Sequence, residues 1–250
     1  MRCHIAVLFS VALMQCACAC AQERQYSDGA QAYFHITPVR PVSELLPIAL
    51  AAKPPIEPGT FKPSDLVELV LLDPGIRLDI RYATTHNFLE TPLYTQARAF
   101  LQRPAAEALV RVQRALAGDG YGLLVHDAYR PWYVTRMFWD ATPADKHAYV
   151  ADPARGSRHN RGCAVDLTLY DLRSGREVEM PSLYDEMSER AWPDYAGGAP
   201  DALARRNLLR RRMEAEGFSV FETEWWHFDY QDWKSYSIQN VRFEAIRSDL

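Results

Sequence analysis

Apolar and polar positions divide the chain into three regimes. An apolar run over 5–14 follows Arg2, is too short to span a bilayer, and precedes the small-x-small site Ala19-Cys20-Ala21. This pattern predicts an export leader over 1–21, cleaved after Ala21, and a periplasmic or otherwise exported protein. Ala17-Cys18-Ala19-Cys20 also has the look of a lipidation site, with Cys20 as the anchor point of a membrane lipoprotein. Over 22–63, prolines at 38, 41, 47, 54, 55, 58 and 63 interrupt every period, which predicts an extended strap with a short helix around 43–52. A single catalytic domain is expected over 64–250.

Within that domain, 67–72 and 76–82 read as strands separated by the turn signal Asp73-Pro74-Gly75. Helical spacing of Ala105, Ala108, Leu109, Val112, Ala115 and Leu116 predicts a helix over 104–116, opened by Pro104 and ended by Gly118. A buried strand over 121–126 leads to Pro131, which stops sheet pairing and opens a helix to about 139. In the strand over 162–169, Cys163, Val165, Leu167 and Leu169 share one face, while Gly162, Ala164, Asp166 and Thr168 share the other. A helix over 202–216 stops at Gly217, and the aromatic stretch 218–230 returns to strand character. The mixture lacks the regular alternation of a parallel sheet. It predicts an α+β fold, a mainly antiparallel central sheet flanked by helices.

Composition narrows the class. A hydrophobic share of 48%, a charged share of 24% and a mean hydropathy of −0.28 exclude disordered, collagen-like and polytopic membrane proteins. The formal net charge is −4, and the leader holds one of the 28 Lys and Arg and none of the 32 Asp and Glu, so cleavage makes the chain slightly more acidic. Such a surface argues against nucleic acid or anionic lipid as partner. Four of the five cysteines lie in the leader. The fifth, Cys163, points into the core by strand alternation and is expected to be an inert packing residue.

Three segments concentrate chemistry: Ser157-Arg-His159-Asn-Arg-Gly162-Cys-Ala-Val-Asp166, Glu224-Trp-Trp-His227 and Asp127-Ala-Tyr-Arg130. A bend at Gly162 can aim His159 and Asp166 at one point. With His227 they form a two-imidazole, one-carboxylate ligand set suited to one Zn²⁺ ion, with a tetrahedral position left for water. Glu224, three residues from a ligand histidine, is the candidate general base, and Arg130 the candidate group for the oxyanion. A regular strand places Glu224 and His227 on opposite faces, so their cooperation requires a bulge or turn between them.

These motifs resemble the zinc D-alanyl-D-alanine dipeptidase family of the vancomycin-resistance type, within the wider class of zinc D,D-peptidases. Arg81-Tyr-Ala-Thr-x-x-Asn-Phe88, Tyr121-Gly-Leu-Leu, Asp127-x-Tyr-Arg-Pro131 and Gly217-Phe218 extend the likeness in order along the chain. The resemblance implies hydrolysis of D-Ala-D-Ala, or a close D,D-dipeptide, to free amino acids. It implies zinc ligands at His159, Asp166 and His227, a base at Glu224 and a transition-state arginine at Arg130. It further implies substrate contacts from Tyr82, Tyr94, Ser157 and Asp185. A dipeptide is a zwitterion, so its pocket needs an acid such as Asp185 for the ammonium and hydroxyl donors for the carboxylate. The chain departs from the family pattern at Arg158, Asn160, Leu89-Glu90 and His126. Two rival readings use the same residues: a D,D-carboxypeptidase or endopeptidase acting on peptidoglycan stem peptides, and a zinc-stabilised binding module without hydrolysis.

Overall fold

Strand periodicity decides which segments join the central sheet. In the computed structural model, residues 33–247 are described, and the predicted leader, Cys20 and the start of the strap lie outside the described residues. The named elements are α1 (Val42–Ala51), β1 (Leu66–Glu68), α2 (Leu69–Leu72), β2 (Arg77–Leu78), β3 (Phe100–Gln102), α3 (Arg103–Ala117), β4 (Tyr121–Asp127), α4 (Trp132–Ala141), β5 (Ala164–Asp171), α5 (Pro200–Glu214), β6 (Phe218–Phe221) and β7 (Glu224–Tyr230). Five strands form one sheet in the order β2-β4-β5-β7-β6, and β1 pairs with β3 separately. Every pair of the larger sheet is antiparallel except β2 with β4. The α+β reading with a mainly antiparallel sheet is thus the observed architecture.

The apolar run 67–72 is not one strand. Its first residues, through Glu68, belong to β1, but Leu69–Leu72 turns helical, because these four apolar residues carry no alternation to hold them extended. The segment 76–82 also pairs only briefly. Arg77 and Leu78 lie parallel to β4, after which Arg81–Ala83 coils into a 3-10 turn that brings Tyr82 inward.

Helix α3 follows its predicted face: Ala105, Ala108, Leu109, Val112 and Leu116 are all fully buried. In the strap, α1 packs on α4, and Val42, Leu45 and Ala49 join the same hydrophobic core as the sheet. Both faces of β5 are covered, since Val165, Leu167 and Leu169 and also Ala164 and Thr168 are buried. Asp166 therefore projects into a region from which water is largely excluded. Cys163 is buried in the core and burial pushes its thiol up to about 12, as suits a packing residue.

Candidate metal centre and active site

The loop before β5 is built around one backbone reversal. His159–Arg161 form a 3-10 turn, and Gly162 ends it with φ +70°. A Cβ at Gly162 would lie 2.5 Å from a Leu66 methyl, so both the left-handed backbone and the close approach require glycine. Asn160, one of the departures from the family pattern, ties the turn down. Its Oδ1 accepts from the Ser157 amide at 2.7 Å, and its Nδ2 donates to the Arg130 carbonyl and to Thr135, each at 2.8 Å.

His159 reaches the site with a defined tautomer. Its Nδ1 donates to the Ala128 carbonyl at 2.7 Å, which leaves Nε2 as the ligand atom. Across the sheet, Asp166 pairs directly with His227. His227 Nε2 is 2.9 Å from Asp229 Oδ1, and its Nδ1 lies 3.1 Å from Asp166 Oδ1 and 3.1 Å from His159 Nε2. Asp229 is in turn 3.2 Å from the Arg158 guanidinium, which sits over the Phe221 and Trp233 rings. Arg158 therefore supports, through one carboxylate, the orientation of a ligand histidine.

A cation fits this donor set. Ligand atoms of His159, Asp166 and His227 lie within 4.8 Å of one another, and all three residues are buried. Asp166 Oδ1 faces both imidazoles yet accepts no hydrogen bond, the signature of an oxygen reserved for another partner. Burial opposes the charge of Asp166, but His159 and His227 hold its carboxyl well below the usual range. Burial also opposes protonation of His227, yet Asp229 and Asp166 raise it to about 10. The site favours positive charge at the point where the three ligand atoms converge.

The required irregularity between Glu224 and His227 is present. Val220 pairs with Phe228 and Phe221 with Glu224, so the register of β6 and β7 shifts between them and β7 bulges. The bulge turns both side chains to one side, with Glu224 Oε2 3.6 Å from His227 Nδ1. Burial, with the Asp166 charge adding to it, pushes the Glu224 carboxyl up to about 7 against the opposing pull of His227.

Arg130 is buried and held by Asp127, whose Oδ2 accepts from both Nε and Nη2 at 2.8 Å. Its Nη2 lies 3.6 Å from Asp166 Oδ2, and its guanidinium stacks on Phe138. Tyr94 is the predicted contact that the structure does not bring to the site. Its hydroxyl donates to Asp127 Oδ1 at 2.7 Å, and it does not line the cavity. Tyr94 thus orients the carboxylate that holds Arg130.

Tyr82, Ser157 and Asp185 do line a cavity of about 760 Å³ together with His159, Asp166, Glu224, His227 and Arg130. The Tyr82 hydroxyl donates to Asp185, 2.9 and 3.1 Å from its two oxygens. Burial and then the Asp166 charge push the Asp185 carboxyl well above its ordinary range. Asp185 adopts φ +61°, a left-handed conformation uncommon for a residue with a side chain. Glu90 also has a positive φ, +53°, in the turn fastened by Asn87, whose Oδ1 accepts from the Leu89 amide.

Sequence reasoning assigned no role to Asp127, Asp229 or Tyr184. Asp229 was accessible to it, since alternation puts residues two apart on one strand face, and Asp229 stands two after His227.

The model of the D-ala-D-ala dipeptidase family matches residues 62–246. The chain belongs to the D-Ala-D-Ala dipeptidase family. It is 35% identical over 185 residues to the D-alanyl-D-alanine dipeptidase of Escherichia coli K12, covering 74% of this chain and 94% of that protein. It is 36% identical over 176 residues to that of Enterococcus faecium, covering 63% and 87%. Among solved structures, the LdcB LD-carboxypeptidase aligns with a TM-score of 0.40 at 19% identity, over 76% of this chain and 82% of its own. The vancomycin resistance D,D-pentapeptidase VanY with Zn(II) aligns with a TM-score of 0.33 at 16% identity, over 54% and 75%. This D-Ala-D-Ala dipeptidase family member therefore carries the motif residues at one cavity, with Glu224 and Arg130 both beside the ligand set.

Proposed function

We propose that the chain is a zinc-dependent dipeptidase that hydrolyses D-alanyl-D-alanine, or a close D,D-dipeptide, to free D-amino acids. The observation that carries this reading is the convergence of an orphaned Asp166 oxygen, two imidazoles, a buried glutamate and a buried arginine on one cavity. His159 through Nε2, Asp166 through Oδ1 and His227 through Nδ1 would hold the ion. Bound zinc supplies a Lewis acid that polarises a carbonyl and lowers the pKa of water.

The chain supplies everything else. Glu224 takes the proton of the attacking water and returns it to the leaving amine, a task suited to a carboxyl near neutrality. Arg130, locked by Asp127 and stacked on Phe138, presents a permanent positive charge to the developing oxyanion without having to reorganise. Asp185, steadied by Tyr82, receives the substrate ammonium. Ser157, whose Oγ accepts from the His159 amide at 3.2 Å, offers its hydroxyl proton to the substrate carboxylate.

The size of the cavity supports a second reading, a D,D-carboxypeptidase or endopeptidase acting on peptidoglycan peptides. Beyond the metal ligands it continues past Trp139, His147, Tyr149, Arg155 and Trp233. The two readings separate on one comparison. D-Ala-D-Ala is expected to be cleaved and its N-acetylated form to be cleaved at least about a hundredfold more slowly, because a blocked amine leaves the buried Asp185 without its partner. Equal turnover of an N-acylated tripeptide, followed by mass spectrometry, would move the assignment to the carboxypeptidase.

Export completes the proposal, supported by the leader pattern over 1–21. N-terminal sequencing of the protein recovered from the cell envelope is expected to begin at Gln22. A blocked N-terminus at Cys20 carrying a lipid mass would show the anchored form instead, and an intact Met1 would remove export from the reading.

A further inference from the structure

Asp166 has two carboxylate oxygens with different surroundings. Oδ1 faces His159 Nε2 at 3.3 Å and His227 Nδ1 at 3.1 Å and accepts no hydrogen bond. Oδ2 accepts from the Tyr184 hydroxyl at 2.9 Å and has Arg130 Nη2 at 3.6 Å. We propose that Tyr184 is a positioning residue that pins Asp166 through Oδ2, so that the carboxylate offers a cation one oxygen and not two. The inference rests on the metal reading above.

Tyr184 is built to hold that place. Its ring is buried and lies edge-on to Trp226, with centroids 5.4 Å apart, and against His126 at 4.8 Å. His126 is set at a register shift between β4 and β5, where Val125 pairs with Leu167 and Asp127 with Asp166. The bulge accommodates the histidine that departs from the family pattern, and its ring becomes one wall of the slot for Tyr184. Asp185, next in the chain, is fixed by Tyr82.

The hydroxyl proton has two acceptors within reach, Asp166 Oδ2 at 2.9 Å and the Tyr82 oxygen at 3.1 Å. A charged acceptor takes a hydrogen bond in preference to a neutral one, so the proton goes to Asp166. Burial, and then the Asp166 charge, raise Tyr184 well above the ordinary phenol range and keep it a donor.

Without this bond, only the longer Arg130 contact restrains Oδ2 from swinging toward the cation. A second carboxylate oxygen would then occupy the coordination position that a hydrolytic site keeps open. Partners that hold ligand groups in this way contribute about 10–100-fold in metal affinity.

The test compares the full-length protein with Tyr184→Phe, which keeps the ring and deletes the hydroxyl. Zinc affinity is measured by competition with a chromophoric chelator, and coordination by the visible absorption of the cobalt-substituted protein. Tyr184→Phe is expected to weaken zinc binding by about tenfold or more and to change the cobalt spectrum. Tyr129→Phe, which deletes the hydroxyl of another buried tyrosine, bonded to the Val241 carbonyl, controls for lost stability and is expected to change neither. Tyr184→Phe with wild-type zinc affinity and cobalt spectrum would overturn the inference, as would a raised KM with metal binding unchanged, which would make Tyr184 a substrate contact. Failure of the wild-type chain to bind zinc would instead overturn the metal reading on which the inference stands.

Discussion

Glu224→Ala is expected to lower turnover of D-Ala-D-Ala by about 10²–10⁴-fold, the usual contribution of a positioned general acid–base group, while zinc content stays near that of the wild type. The reason lies in the division of labour along β7. Glu224 is within 3.6 Å of His227 but is not one of the three residues whose ligand atoms converge. Its removal takes away a proton carrier from a buried site and leaves the ligand set whole. Turnover and metal content, measured on the same preparation, separate the two roles. Wild-type activity in Glu224→Ala would refute the mechanism. A parallel loss of zinc would make Glu224 a ligand.

Asp166→Ala is expected to produce the opposite pattern, with metal lost and activity lost along with it. Structural zinc sites bind with about 10–16 kcal/mol in all, so one of three protein ligands carries on the order of 3–5 kcal/mol, or roughly 10²–10⁴ in affinity. Asp166 also supplies the only formal negative charge among those ligands. In its absence, two imidazoles remain, His159 tied to the Ala128 carbonyl and His227 to Asp229. Elemental analysis after dialysis against a weak chelator is expected to show near-stoichiometric zinc in the wild type and little in the variant. Retention of stoichiometric zinc by Asp166→Ala would place the ion elsewhere.

Much of the site was legible because its residues are constrained locally. Gly162 between His159 and Asp166 announced a bend, and the structure has it with a positive φ. The spacing of Glu224 and His227 was incompatible with a regular strand, which demanded the bulge that β7 contains. Helix α3 followed from its periodicity and Gly118, and α5 from its stop at Gly217, each to within a few residues.

What escaped lies where local pattern carries no signal. After Glu68 the run 69–72 is wholly apolar, so neither a strand nor a helix period shows where β1 gives way to α2. The parallel pairing of β2 with β4 depends on a contact between segments more than forty residues apart. Tyr94 was expected at the substrate and Tyr184 was given no role, for a similar reason. Both are buried tyrosines beside acidic partners distant in sequence, Asp127 and Asp166, and only the fold determines which hydroxyl meets which carboxylate.

The direct pairing of Asp166 with His227 has a wider consequence. These two ligands belong to neighbouring strands at the middle of the sheet, so an ion held between them is also a cross-link between β5 and β7. No stretch of the chain carries a competent half of this site by itself. The base and one ligand arrive on β7, the other ligands before and on β5, and the arginine after β4. A chain in which β5 and β7 have not yet paired therefore has no assembled ligand set.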